Sequence, residues 1–104
     1  MLQIVKTAQF EKWLKRIKDT HARSIIEARI GKIAFRGELC GDWKNLGEDL
    51  FEMRFFIGPG YRVYFSLRGG TLLLLLLGGD KTTQLLDIRK ARKLLREWKR
   101  NYEN

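Results

Sequence analysis

The stretch Leu50-Phe51-Glu52-Met53-Arg54-Phe55-Phe56-Ile57-Gly58-Pro59-Gly60-Tyr61-Arg62-Val63-Tyr64-Phe65-Ser66-Leu67 decides the fold. Leu50 to Ile57 and Tyr61 to Leu67 both alternate with a period of two. Between them Pro59 fixes φ and Gly60 admits a positive one, so the segment reads as a β-hairpin. Phe51, Met53, Phe55 and Ile57 share one face with Tyr61, Val63, Phe65 and Leu67, and this is the core face. A three-residue turn sets Ile57 opposite Tyr61, Phe55 opposite Val63 and Met53 opposite Phe65, so core meets core. The same register sets Arg54 opposite Tyr64 and Phe56 opposite Arg62, with Arg54 and Arg62 as diagonal neighbours on a polar, solvent-facing surface.

Outward from the hairpin, Gly69-Gly70 marks a second turn. Thr71 to Leu77 is an unbroken apolar strand of the kind covered on both faces, expected at the centre of the sheet, and Gly78-Gly79-Asp80 ends it. A final helix begins near Thr82, with Ile88, Ala91, Leu95, Trp98 and Tyr102 forming its apolar stripe. Asp80 is placed to cap that helix. Upstream, Leu2 to Lys6 reads as a short strand followed by a Thr7 cap. Phe10, Trp13, Leu14 and Ile17 make a first helix, and Asp19-Thr20 caps a second that runs from Ala22 to about Phe35. Gly31 inside that second helix is unfavourable by about 1 kcal/mol relative to Ala. Arg36 to Asp49 reads as a glycine-containing loop anchored by Leu39, Trp43 and Leu46.

The expected fold is therefore α+β in the order β-α-α-β-β-β-α. Two N-terminal helices and a C-terminal helix pack on a mainly antiparallel four-stranded sheet, within a single domain over residues 1–104.

The chain of 104 residues carries a net charge of +9, which points to a polyanionic partner. Between Lys81 and Arg100, eight cations stand against only Asp87 and Glu97, so +6 of that charge lies on this C-terminal segment, most of it on the final helix. Cys40 is the single cysteine, which suits a reducing compartment. The start lacks the pattern of a signal peptide, and the run Leu72 to Leu77 is too short to span a bilayer. The reading is cytoplasmic, with no membrane partner. His21 is the sole histidine, so a two-histidine nuclease mechanism and a Cys/His metal cluster are both excluded. No phosphate-binding loop is present. Any catalysis would rest on arginine, lysine, tyrosine or groups of the substrate, without metal or cofactor. Arg54, Arg62 and Tyr64 on one sheet face make a phosphate cradle, Phe56 is placed to stack on a base, and Lys81 follows the central strand nearby.

These residues carry a family resemblance. Leu50-Phe51-Glu52-Met53-Arg54, Gly58-Pro59-Gly60-Tyr61-Arg62-Val63-Tyr64-Phe65 and Leu75-Leu76-Leu77-Gly78-Gly79-Asp80-Lys81, in this element order, resemble the RelE/ParE superfamily of toxins. The nearest likeness is to the phage-derived HigB-like addiction-module killer proteins. The resemblance implies a ribosome-dependent mRNA endonuclease of a type II toxin-antitoxin system. Its partners would be mRNA, the ribosome and a cognate antitoxin with a helix-turn-helix domain. Arg62 matches the family arginine after Gly-Tyr, Arg54 and Lys81 fall near basic positions, and Tyr64 is the tyrosine placed closest to them. These four are the implied catalytic residues, while Glu52 stands about where RelE has a basic residue. Arg68, Lys90, Arg92, Lys93 and Arg96 are the implied nucleic-acid contacts. The superfamily's ParE branch implies the alternative, a non-enzymatic DNA gyrase inhibitor.

Overall fold

The computed structural model describes residues 1–103. Strand β1 (Gln3–Lys6) leads into α1 (Ala8–Arg16), where Thr7 Oγ1 accepts from Phe10 N at 3.0 Å and donates to Leu76 O at 2.6 Å. One hydroxyl thus satisfies a free helix donor and ties the helix start to the sheet. Helix α2 (Thr20–Arg36) begins at Asp19, whose carboxylate accepts from His21 N and Ala22 N, and ends at Gly37 in the left-handed region. Strands β2 (Trp43–Gly47), β3 (Leu50–Arg54), β4 (Arg62–Arg68) and β5 (Leu72–Gly79) follow. A 3-10 turn, Lys81–Thr83, then leads into α3 (Gln84–Tyr102).

The fold is α+β, with its three helices on a five-stranded mixed sheet of order β1-β5-β4-β3-β2. The expected four strands become five, and the sheet is mainly antiparallel as expected, with one parallel pair at its edge. β1 pairs with β5 in parallel, while the other pairs are antiparallel. The segment read as a loop contains β2, hairpinned to β3 with Gly47 opposite Leu50. The two turn residues, Glu48 and Asp49, adopt positive φ of 51° and 69°, the geometry a two-residue hairpin needs, although neither is glycine. β5 is interior, but β4 occupies the middle of the sheet, and β5 runs on through Gly78 and Gly79 rather than ending before them.

The register of the central hairpin is also corrected. Phe51 pairs with Phe65, Glu52 with Tyr64, Met53 with Val63 and Arg54 with Arg62, a shift of two residues from the expected pairing. The cause is a longer connection. β3 ends at Arg54, Phe55 N still donates to Tyr61 O at 3.0 Å, and Gly60 N closes the turn on Ile57 O at 3.0 Å. An even shift preserves faces, so the core side remains as read: Met53, Phe55, Val63 and Phe65 meet Phe10, Ile26, Ile30 and Ile33 of α1 and α2.

The opposite face is not open to solvent. Leu50, Tyr64, Leu74 and Leu76 pack against Ala91 and Leu95 of α3, enclosing Glu52, Arg62 and Ser66 in the same layer. Tyr102, expected on the apolar stripe, is exposed beyond the sheet. Among the described residues, no helix is long and apolar enough to cross a membrane.

Candidate functional site

The site grows from the hairpin tip and the start of α3. Gly60 has φ +78°, which favours glycine, and a Cβ there would lie 3.4 Å from both Arg62 Nη1 and Lys81 Cβ. The turn therefore gathers Arg62 and Lys81, two of the four implied catalytic residues, around one backbone position. Arg62 Nη1 donates to Gly60 O at 2.9 Å, and only 8% of the side chain is exposed. Lys81 is exposed, beside a shallow cleft of about 510 Å³ formed with Thr82, Thr83, Gln84, Leu85 and Leu86.

Asp80 makes a capping box with the 3-10 turn, accepting from Thr82 N at 2.8 Å and from Thr82 Oγ1 at 2.6 Å. These hydrogen bonds hold its carboxyl below the ordinary carboxylate range, as a cap rather than a proton carrier.

The other two implied catalytic residues are placed differently. Arg54 is half-buried and pairs with Asp42 at 3.0 Å, while its carbonyl accepts from Arg29 Nη1 at 2.7 Å. Tyr64 has no exposed surface, which corrects the expectation of an open tyrosine; α3 covers it. Burial, reinforced by the neighbouring Glu52 carboxylate, pushes its phenol well above the ordinary value, so it stays neutral. Phe56 is 81% exposed at the hairpin.

Of the five implied nucleic-acid contacts, Lys90, Lys93 and Arg96 are exposed. Lys90 and Lys93 flank a groove of about 300 Å³ floored by Leu77 and Leu94 and edged by Gln9 and Glu97. The remaining two make internal contacts. Arg92 donates to Leu46 O at 2.7 Å and Gly47 O at 3.2 Å, satisfying carbonyls of β2. Arg68 is held by Glu103 and Asp49, and Asp49 also pairs with Lys99 at 2.8 Å.

Sequence reasoning missed a buried polar layer beneath the start of α3. Glu52 is fully buried, accepts from Gln84 Nε2 at 2.8 Å, and lies 4.0 Å from Arg62 Nε. Asp87 accepts from Thr83 Oγ1 at 2.5 Å and is also buried. Two signals pointed here. Asp87 lies one turn before Ala91, on the helix's buried stripe. Gly79 inside β5 marks a close approach here, because a Cβ on it would enter the Asp87 carboxylate, whereas one on Gly78 would enter the Trp13 ring of α1 on the other face. Among the described residues, no cluster of three His, Cys, Asp or Glu side chains is arranged to hold a metal.

These features define a class: a small, strongly basic α+β protein whose hairpin turn at Gly60 lies against both Arg62 and Lys81, beside a buried carboxylate layer. Within it, the chain belongs to the family of an uncharacterized protein of Haemophilus influenzae Rd. The two are 42% identical over 96 residues, which covers 92% of this chain and 95% of that one. No family profile matches the chain, and no solved structure matches it.

Proposed function

We propose that this chain is the toxin of a type II toxin-antitoxin module of RelE/ParE-like fold, acting in the cytoplasm as a metal-independent, ribosome-dependent mRNA endonuclease. The observation that carries the reading is the meeting of Arg62 and Lys81 around Gly60, at a tip that projects Phe56. In the reaction an RNA 2′-hydroxyl attacks the adjacent phosphorus and gives its proton to solvent, and the P–O5′ bond breaks as the leaving 5′-oxygen takes a proton from Lys81. Arg62 and Lys81 offset the charge that builds on the phosphoryl oxygens. Exposed Lys90, Lys93 and Arg96 contact ribosomal RNA and set a salt-dependent affinity. Tyr64 takes no part, since it is sealed beneath α3. A helix-turn-helix antitoxin lays an acidic segment over the groove between Lys90 and Lys93, where leucines supply apolar contact.

Primer extension on mRNA from expressing cells tests the reading. Ribosome-dependent cuts that vanish with Arg62→Ala are expected, and the absence of cuts, or cuts indifferent to that change, would defeat it. One observation favours a second reading, inhibition of DNA gyrase without catalysis: the Arg62 side chain is only 8% exposed, with Nη1 held by a backbone carbonyl. Trapped cleavage complexes with purified gyrase, without mRNA cuts, would select it.

A further inference from the structure

Three buried polar atoms without a hydrogen-bond partner lie in the layer between β3, β4 and α3: Glu52 Oε1, Arg62 Nε and Tyr64 Oη. A buried carboxylate is expensive to desolvate, and an apolar residue of similar volume would pack the layer at no such cost. The charge of Glu52 is not needed to join the strands either, because Glu52 and Tyr64 are already ladder partners through their backbones. What the carboxylate does face is Arg62, with Oε2 4.0 Å from Nε. The opposite flank of the guanidinium is held by Gly60 O on Nη1. Nη2 makes no hydrogen bond among the described residues. Gln84 donates to the same Glu52 oxygen from the first turn of α3, so one carboxylate oxygen joins the helix start by a hydrogen bond and faces the guanidinium as an ion pair at 4.0 Å.

We propose that Glu52 is a positioning residue, which with Gln84 orients the Arg62 guanidinium beside Lys81 for contact with a phosphate oxygen. This rests on the reading that Arg62 and Lys81 form a phosphoryl site, and it assigns to the buried layer a role that the strand pairing does not require.

The sign of one effect separates positioning from simple electrostatics. Without positioning, removing a negative charge next to Arg62 strengthens anion binding. With positioning, the guanidinium loses its orientation and binding weakens. The test titrates inorganic phosphate into the full chain and follows the Arg62 side-chain Nε–H resonance by heteronuclear NMR, with Lys81 side-chain resonances as the second probe. Glu52→Gln is expected to shift the Nε–H resonance and weaken phosphate binding about fivefold, and Gln84→Ala to do so to a smaller extent. In an Arg62→Ala background, Lys81 should report no further loss from Glu52→Gln. Unchanged or tighter binding in Glu52→Gln, or an equal loss without Arg62, overturns the proposal. If Glu52→Gln does not fold, the Gln84→Ala resonance shift and affinity decide in the same directions. RNA cleavage is not part of this readout, so failure of the nuclease reading and failure of the positioning role remain distinguishable.

Discussion

Arg54 and Arg62 are direct partners across the β3–β4 ladder, yet each guanidinium answers to a different carboxylate: Arg54 to Asp42 at 3.0 Å, Arg62 to Glu52 at 4.0 Å. Two like charges directly opposite on a sheet repel, and separate counter-charges relieve that repulsion. The two carboxylates work in different surroundings. Asp42 is part-exposed, in the segment that precedes β2, whereas Glu52 is sealed under α3.

That contrast predicts unequal costs. Asp42→Ala should lower stability by about 1 kcal/mol or less, because a part-exposed pair is screened by water. Glu52→Ala should cost about 3 kcal/mol or more, since it leaves the buried Arg62 charge without compensation. Urea denaturation of both variants checks this, and equal losses would show that Arg62 does not depend on Glu52.

The glycines give a second test with opposite signs. Gly79→Ala drives a Cβ into the Asp87 carboxylate, which is pinned by Thr83 and cannot simply swing away, so a loss of about 1–3 kcal/mol is expected. Gly31 lies inside α2 with no heavy atom within 4 Å of a Cβ position, and Gly31→Ala should stabilise by about 0.5–1 kcal/mol. Thermal unfolding of the two variants reads both. A stabilising Gly79→Ala would mean that the Asp87 layer is not packed as described.

Much of this architecture is legible in the residues because side-chain periodicity survives certain errors. The hairpin faces follow from a period of two, so a register wrong by two still assigns Met53, Phe55, Val63 and Phe65 to the core. Which face is covered twice is not legible the same way. Glu52, Arg62 and Ser66 look like a solvent surface, and only the placement of Ala91 and Leu95 over them shows otherwise. β2 hides for another reason: its turn uses Glu48 and Asp49 at positive φ, where the sequence offers no glycine to announce a hairpin. Arg62 and Lys81 could be paired through their flanking glycine and strand end. Arg68 and Arg92 could not be separated from the exposed cations, because pairing with Glu103 and with the β2 carbonyls depends on distant contacts.

The ion-pair cluster near the end of α3 predicts a pH response. Hydrogen bonds from Lys99 and Arg68 hold Asp49 below its ordinary value, and those from Arg68 do the same for Glu103. Depressed carboxyl values in the folded chain mean that the stabilisation is fully present above the ordinary carboxylate range and is lost as pH falls through the depressed values. The double variant Asp49→Asn, Glu103→Gln should therefore melt below wild type at pH 7, and the gap should shrink steadily as the pH falls below the ordinary carboxylate range. High salt at pH 7 should narrow the gap, since these groups are exposed. A gap that does not shrink as the pH is lowered would assign the effect to packing rather than charge.

Tyr64→Phe should change stability by no more than about 1 kcal/mol, because the buried hydroxyl makes no close hydrogen bond and faces the Glu52 carboxylate. The pH dependence sharpens this. With its folded value raised, the Tyr64 phenol stays neutral in the native state while the unfolded chain ionises above about pH 10, so wild type loses stability as pH rises beyond that point. The phenylalanine variant should lose part of that alkaline slope. Equilibrium urea denaturation at pH 8 and pH 11 measures the difference. If mRNA cleavage is observed for wild type, Tyr64→Phe should retain it and Arg62→Ala should not, since Tyr64 has no exposed surface while Arg62, at the edge of the same layer, keeps 8% of its side chain exposed and reaches Gly60 next to Lys81. A phenylalanine variant that folds normally but cannot cleave would place Tyr64 in contact with substrate, and would require α3 to move aside for the reaction.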